Sequence, residues 1–163
     1  MYLDKKGLVT VGVGNLIDPM RTAVDLPFEY KSTNKLKRPA GQRATPAEIE
    51  SEWKHIKNHR NRTQMALDGH KSCRDETNLE LSTLGRQRLF SSKSSSNEQT
   101  LMQTFSSWVS FPADAQLALM AMAWGLGANA GISKKFPRFT AACSKMDFDA
   151  AVADCNIKTW RPE

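Results

Sequence analysis

The stretch MYLDKKGLVTVGVGNLI, residues 1–17, decides how the rest of the chain is read. Val9, Val11 and Val13 alternate with Thr10, Gly12 and Gly14, the period-2 pattern of a strand. Ahead of them, Asp4-Lys5-Lys6-Gly7 has the composition of a tight turn, with Gly7 free to take positive φ. Tyr2-Leu3 and Leu8–Val13 are therefore expected to be the arms of an antiparallel hairpin turning at Lys5–Gly7. The chain opens in what reads as the middle of a folded motif.

The 163 residues suffice for one domain with a core, or for two small lobes. Hydrophobic residues make up 40% and charged residues 25%, which fits a globular chain. No apolar run reaches the roughly 18 residues of a membrane span. The first fifteen residues lack the basic, apolar, small-residue order of a secretory signal. The net charge of +6 concentrates in Lys31–Arg38, Arg43 and Lys54–Arg62. Such a surface suits a polyanion, or is simply a solvated loop and helix face. Residues 31–43 hold no aromatic to interleave with the charges, so nucleic acid is not an expected partner.

Cys73, Cys143 and Cys155 show no CxxC spacing and make no zinc signature with His55, His59 and His70. His55 and His59 lie four apart, as ligands on one helix face can, but no HExxH glutamate accompanies them. They are expected to be surface histidines, and no metal or cofactor is expected. Cys143 and Cys155 fall on successive helical segments and are expected to be free thiols.

Residues 18–43, with Pro19, Pro27 and Pro39, read as irregular. Thr45-Pro46-Ala47-Glu48 is a strong helix start: a Thr N-cap, a Pro in the first turn and a Glu closing a capping box. Ile49, Trp53 and Ile56 follow at helical spacing, and this helix is expected to run to about Arg60. A polar loop is expected over 67–78, around Gly69. A short helix is expected from Ser82 to Phe90, with Leu81, Leu84 and Leu89 apolar, and a turn or loop over Ser91–Ser96. Leu101, Phe105 and Trp108 then share one helix face. The segment Phe111–Trp124 is apolar all round beyond Gln116, which predicts the most enclosed helix, with Leu117, Met120 and Ala121 buried. Gly125 and Gly127 end it. Two short helices follow, Phe136–Ser144 and Asp147 to about Ile157, the second with Phe148, Ala151, Val152 and Cys155 inward. The fold class is α+β and mostly α, with no internal repeat.

Two stretches are unusual enough to carry chemistry. On the hairpin, Asp4, Thr10 and Asn15 accompany Gly12 and Gly14, which thin the strand so that a ligand can lie close to its backbone. Read structurally, Asp4 is a turn residue and the glycines mark a bulge. The second stretch, Trp124-Gly-Leu-Gly-Ala-Asn-Ala-Gly131, is no dinucleotide fingerprint, because a helix and not a strand precedes it. Alone it is a helix end and a loop.

Taken in this order, the two stretches resemble the phage-type lysozymes, glycoside hydrolase family 24. In that family a glutamate on the first helix precedes a hairpin with a tyrosine, an aspartate two residues on, a turn glycine, a strand threonine and a Gly-x-Gly-His. Tyr2, Asp4, Gly7, Thr10, Gly12 and Gly14 match, and Asn15 stands where the histidine is usual. Ala115–Gly127 is similar to the family's buried central helix and the loop after it. Phe136–Trp160, with Asp147-Phe-Asp-Ala-Ala-Val, is similar to the helical pair that follows. Between these regions only helical character agrees. A further likeness is to lysozyme-like toxin domains delivered by contact-dependent secretion, such as type VI effectors.

The resemblance implies a single lysozyme-like domain over 1–163, with a hairpin lobe and connecting helix over 1–60 and a helical lobe over 61–163. It implies a muramidase cutting the N-acetylmuramate–N-acetylglucosamine backbone of bacterial peptidoglycan, without cofactors. Asp4 would be the carboxylate opposite the proton donor, and Thr10 would help hold the attacking water. Asn15 would contact the substrate. Trp124 would offer a ring face to a sugar, or else pack in the core. The general acid of the family lies one helix before the hairpin, whereas Asp4 has only three residues ahead of it. Glu29, Glu48, Glu50 and Glu52 lie on a loop or on the polar side of a helix, and none is a natural substitute. The resemblance thus implies a domain trimmed at both ends, its first helix supplied by an upstream segment or a partner chain. It also implies synthesis in a bacterial cytoplasm or a phage-infected host and action in the periplasm or wall. The other class of function is a non-catalytic wall-binding or degenerate lysozyme-fold module.

Overall fold

The computed structural model describes residues 1–155, and for residues 128–130 the backbone alone. The expected helix end near Ile157 and the Trp160 region lie outside the described residues. The protein is α+β and mostly helical. It divides into two compact units, Met1–Ser91 and Ser92–Glu163. The first lobe, expected to close at residue 60, runs on to Ser91, because a strand near residue 80 pairs back onto one near residue 29.

The first unit opens with β1 (Tyr2–Leu3), β2 (Val9–Val11) and β3 (Asn15–Leu16), an antiparallel sheet in the order β1-β2-β3. The hairpin is as expected: Tyr2 faces Thr10, Leu3 faces Val9, and the Gly7 N–H donates to the Asp4 carbonyl at 2.8 Å with Gly7 at φ 70°. The third strand is an addition. Gly12, at φ 58°, lets the chain reverse again so that Val11 faces Asn15.

A helix α1 (Pro46–Lys57) packs on β1 and β2. Its capping box is formed as expected: the Glu48 N–H donates to Thr45 Oγ1, and the Glu48 carboxylate accepts the Thr45 N–H at 2.8 Å. Ile49 and Ile56 are buried. Trp53 donates Nε1–H to the Ile17 carbonyl at 2.9 Å. Lys57 pairs with Asp18 and donates to the Gly7 carbonyl at 3.1 Å. These bonds fix the hairpin turn to the last turn of α1.

Where irregular chain was expected, β4 (Phe28–Tyr30) pairs antiparallel with β5 (Leu79–Leu81), Phe28 facing Leu81 and Tyr30 facing Leu79. All four of these side chains are buried and join Leu3, Ile17, Ile49 and Ile56 in the core. The polar loop expected over 67–78 is largely helical: α2 (Arg62–Asp68) and α3 (His70–Cys73) are separated by Gly69. Buried Met65, Ala66 and Cys73 supply the apolar contacts that hold these short helices.

The 22-residue helix α4 (Thr83–Thr104) begins in the first unit and ends in the second. It runs straight through Ser91–Ser96, where a turn was expected. The hydroxyls of Thr100 and Thr104 donate to the carbonyls of Ser96 and Thr100, at 3.0 and 2.8 Å, so these polar groups bond within the helix. Of the apolar Leu81, Leu84 and Leu89, Leu81 is buried and Leu84 is exposed.

In the second unit, α5 (Ala113–Leu126), α6 (Ala128–Lys135), α7 (Pro137–Ser144) and α8 (Phe148–Asp154) surround a core of Leu101, Phe105, Trp108, Phe111, Leu119, Met122 and Phe139. The Phe111 ring meets Phe148 edge-on at 5.3 Å. Two expectations are corrected. Only Leu119, Met122 and Ala123 of α5 are fully buried, whereas Ala121 is exposed, Met120 is half-buried and Leu117 is 68% exposed. Uniform apolarity marks what a helix can pack against, and here one stripe is covered. On α8, Ala151 faces inward but Val152 is 75% exposed. Among the described residues no helix is long and apolar enough to cross a membrane.

Candidate functional site

Asp4 closes the β1–β2 turn. Its Oδ1 accepts the backbone N–H groups of Lys6 and Leu8, each at 2.9 Å. Among the described residues its Oδ2 accepts no hydrogen bond, so one carboxylate oxygen is fixed and the other is open. The Asp4 N–H donates to the Leu8 carbonyl at 2.9 Å, extending the ladder by one step beyond Leu3–Val9, so that Asp4 opposes Leu8, two residues before Thr10. Opposed residues of an antiparallel pair point to the same face, which puts Asp4 and Thr10 on one side of the sheet.

Thr10 is only 3% exposed, and its hydroxyl donates to the Leu8 carbonyl at 3.2 Å. The hydroxyl proton is thereby committed, while the oxygen keeps lone pairs for an incoming donor. Asn15, also buried, starts β3 opposite Val11. It lines a pocket of about 260 Å³ together with Gly12, Val13, Leu81, Arg86, Gln87, Leu89 and Phe90. Of the hairpin candidates, the sheet thus puts Asp4 and Thr10 on one face, whereas Asn15, opposed to Val11, lies on the other face with its own pocket. Trp124 is half-buried on α5, in the second unit.

The wall of the Asn15 pocket on α4 was not anticipated. Arg86 and Phe90 are four apart on that helix, a spacing that marks a shared face, but nothing in the sequence says the face meets Asn15. Arg86 is already held: its guanidinium donates to the Leu81 carbonyl at 2.5 Å and to Thr83 Oγ1 at 3.0 Å. A second, larger pocket of about 680 Å³ lies within the second unit, lined by apolar side chains including Leu119, Met122, Phe139, Phe148 and Val152. Burial raises the thiol pKa of Cys143, in its wall, to about 11.

The acidic residues weighed as proton donors have other partners. Glu48 completes the α1 capping box, and its accepted Thr45 N–H holds its carboxyl below the usual range. Glu50 pairs with Lys54 at 2.6 Å. Glu52, buried on α1, accepts the backbone N–H groups of Asn78 and Leu79. Glu29 lies on β4 facing Glu80, in the other sheet of the unit.

Compared with family models, with characterised proteins and with solved structures, the chain finds no match.

Proposed function

We propose that this chain is the greater part of a muramidase, a lysozyme-like domain that hydrolyses the bond between N-acetylmuramate and N-acetylglucosamine in peptidoglycan. The observation that carries the reading is the Asp4 carboxylate, one oxygen locked by two backbone N–H groups and the other open, on the sheet face it shares with Thr10. Glycoside hydrolysis needs such a carboxylate across the scissile bond from the proton donor, to orient water or to stabilise positive charge developing on the sugar. Thr10 Oγ1 accepts a hydrogen bond from the attacking water while its own hydrogen stays bonded to the Leu8 carbonyl. The proton donor is assigned to a carboxylic acid outside residues 1–163, on a helix supplied by a preceding segment or a partner chain. The net charge of +6 draws the domain to the anionic polymers of the wall.

The burial of Thr10 favours a second reading, a non-catalytic module that holds wall saccharides. Purified sacculi incubated with a version extended upstream separate the two. The enzyme reading predicts soluble fragments with muramic acid at the new reducing end. Retention on sacculi with no fragments supports the module, and neither retention nor fragments rejects both.

A further inference from the structure

We propose that His55, His59 and Glu76 form a binding site for a divalent transition-metal ion of the zinc type, separate from the hairpin site. His55 sits in the last turn of α1 and His59 just beyond its end, on the chain leading to α2. Their rings meet edge-on, with centroids 5.5 Å apart and planes at 83°. The Nε2 atoms of both rings lie 3.7 Å from Glu76 Oε2, and the donor atoms of all three residues fall within 4.8 Å of one another. Ligands about 2.0–2.2 Å from a tetrahedral ion lie roughly 3.4 Å apart, so both Nε2–Oε2 separations need to close by only a few tenths of an ångström.

The third ligand is already positioned. Lys31 Nζ donates to the carbonyls of Arg74 and Thr77, at 2.8 and 2.9 Å, and to the Thr77 hydroxyl. Glu52 holds the N–H groups of Asn78 and Leu79. The segment 74–79 is therefore pinned on both sides of Glu76. His59 is 14% exposed, so its ring is also confined, while His55 and Glu76 keep an open side for water in the fourth position. Two imidazoles and one carboxylate suit zinc, cobalt, nickel or copper; calcium and magnesium prefer all-oxygen shells.

One feature sets the signature of binding. His59 Nδ1 accepts the Asn61 N–H at 3.2 Å, so the neutral ring carries its proton on Nε2, the nitrogen turned to Glu76. Loading the metal on Nε2 moves that proton to Nδ1 and gives up this long hydrogen bond. A bound ion therefore switches the His59 tautomer, which a merely structural cluster has no cause to do.

The test is calorimetric titration of the full chain with Zn²⁺, with Ca²⁺ as control, on the native sequence and on His55→Ala and Glu76→Gln. Both changed side chains are at least one-third exposed, and circular dichroism checks that the variants fold. The expected result is one Zn²⁺ per chain, no Ca²⁺ binding, and affinity weakened about tenfold or more in each variant, the scale on which ligand shells respond. Histidine ¹⁵N and ¹³C shifts should move His59 from the Nε2–H to the Nδ1–H form on loading. Failure to bind Zn²⁺, binding that survives both substitutions and so belongs to the cysteines, or an unchanged His59 tautomer overturns the proposal.

Discussion

Asp4 and Thr10 are held by the two ends of one residue. Leu8 gives its N–H to Asp4 Oδ1 at 2.9 Å, and its carbonyl accepts the Thr10 hydroxyl at 3.2 Å. The turn that reverses the chain and the bonds that aim both candidate groups are the same bonds. A change at either residue therefore acts on local structure as well as chemistry, and the two effects have to be separated.

Asp4→Asn keeps an oxygen acceptor for the Lys6 and Leu8 N–H groups, whereas Asp4→Ala removes it. Asp4→Ala should lower stability by about 1.5–3 kcal/mol, the scale for hydrogen bonds to a charged group, and Asp4→Asn by distinctly less. Urea unfolding of both variants checks this. Equal losses would show that the acceptor is not what Asp4 contributes to the turn.

The second unit offers a paired test on one helix. Leu119 is fully buried on α5 while Leu117 is largely exposed. Leu119→Ala should destabilise by about 2–5 kcal/mol as a core truncation, and Leu117→Ala by under roughly 0.5 kcal/mol as a surface change. Thermal unfolding that ranks the two in the opposite order would contradict the packing of α5.

Glu48 gives a pH signature. The Thr45 N–H it accepts lowers its folded-state pKa below the ordinary 4.5, so its contribution is fully present above the unfolded value and is lost as pH falls through the folded one. Stability should decline on acidification below about pH 4.5, and this part of the decline should vanish in Glu48→Gln. Denaturant midpoints between pH 7 and pH 3 measure it. A variant with an unaltered pH profile would remove Glu48 from the account.

What the sequence discloses divides by distance along the chain. The Asp4–Gly7 turn and the Thr45–Glu48 capping box are local, and both stand where residue type put them. The strands β4 and β5 are three residues each and find one another across the chain, so neither carries a period long enough to read. Ser91–Ser96 has loop composition, yet the helix on both sides carries it through at small cost in propensity. The exposure of Leu117 was hidden because an all-apolar helix names no preferred face. At the sites, Asp4 and Thr10 were legible as a spaced pair on a hairpin. Glu76 beside the two histidines was not, since Lys31 and Glu52, both remote in sequence, put it there.

The most direct test of the muramidase reading is the rate at which purified cell walls clear, measured for an upstream-extended chain and for its Asp4→Asn variant, with the 163-residue chain beside them. General acid–base groups contribute about 10²–10⁴-fold in rate. The account predicts lysis by the extended chain, a loss of about 10²-fold or more on Asp4→Asn with the fold intact, and binding without lysis by residues 1–163 alone. Unchanged lysis by the Asp4→Asn variant would contradict the role of Asp4. Robust lysis by the 163-residue chain, abolished by substituting one of its own glutamates, would contradict the assignment of the proton donor to a segment outside it.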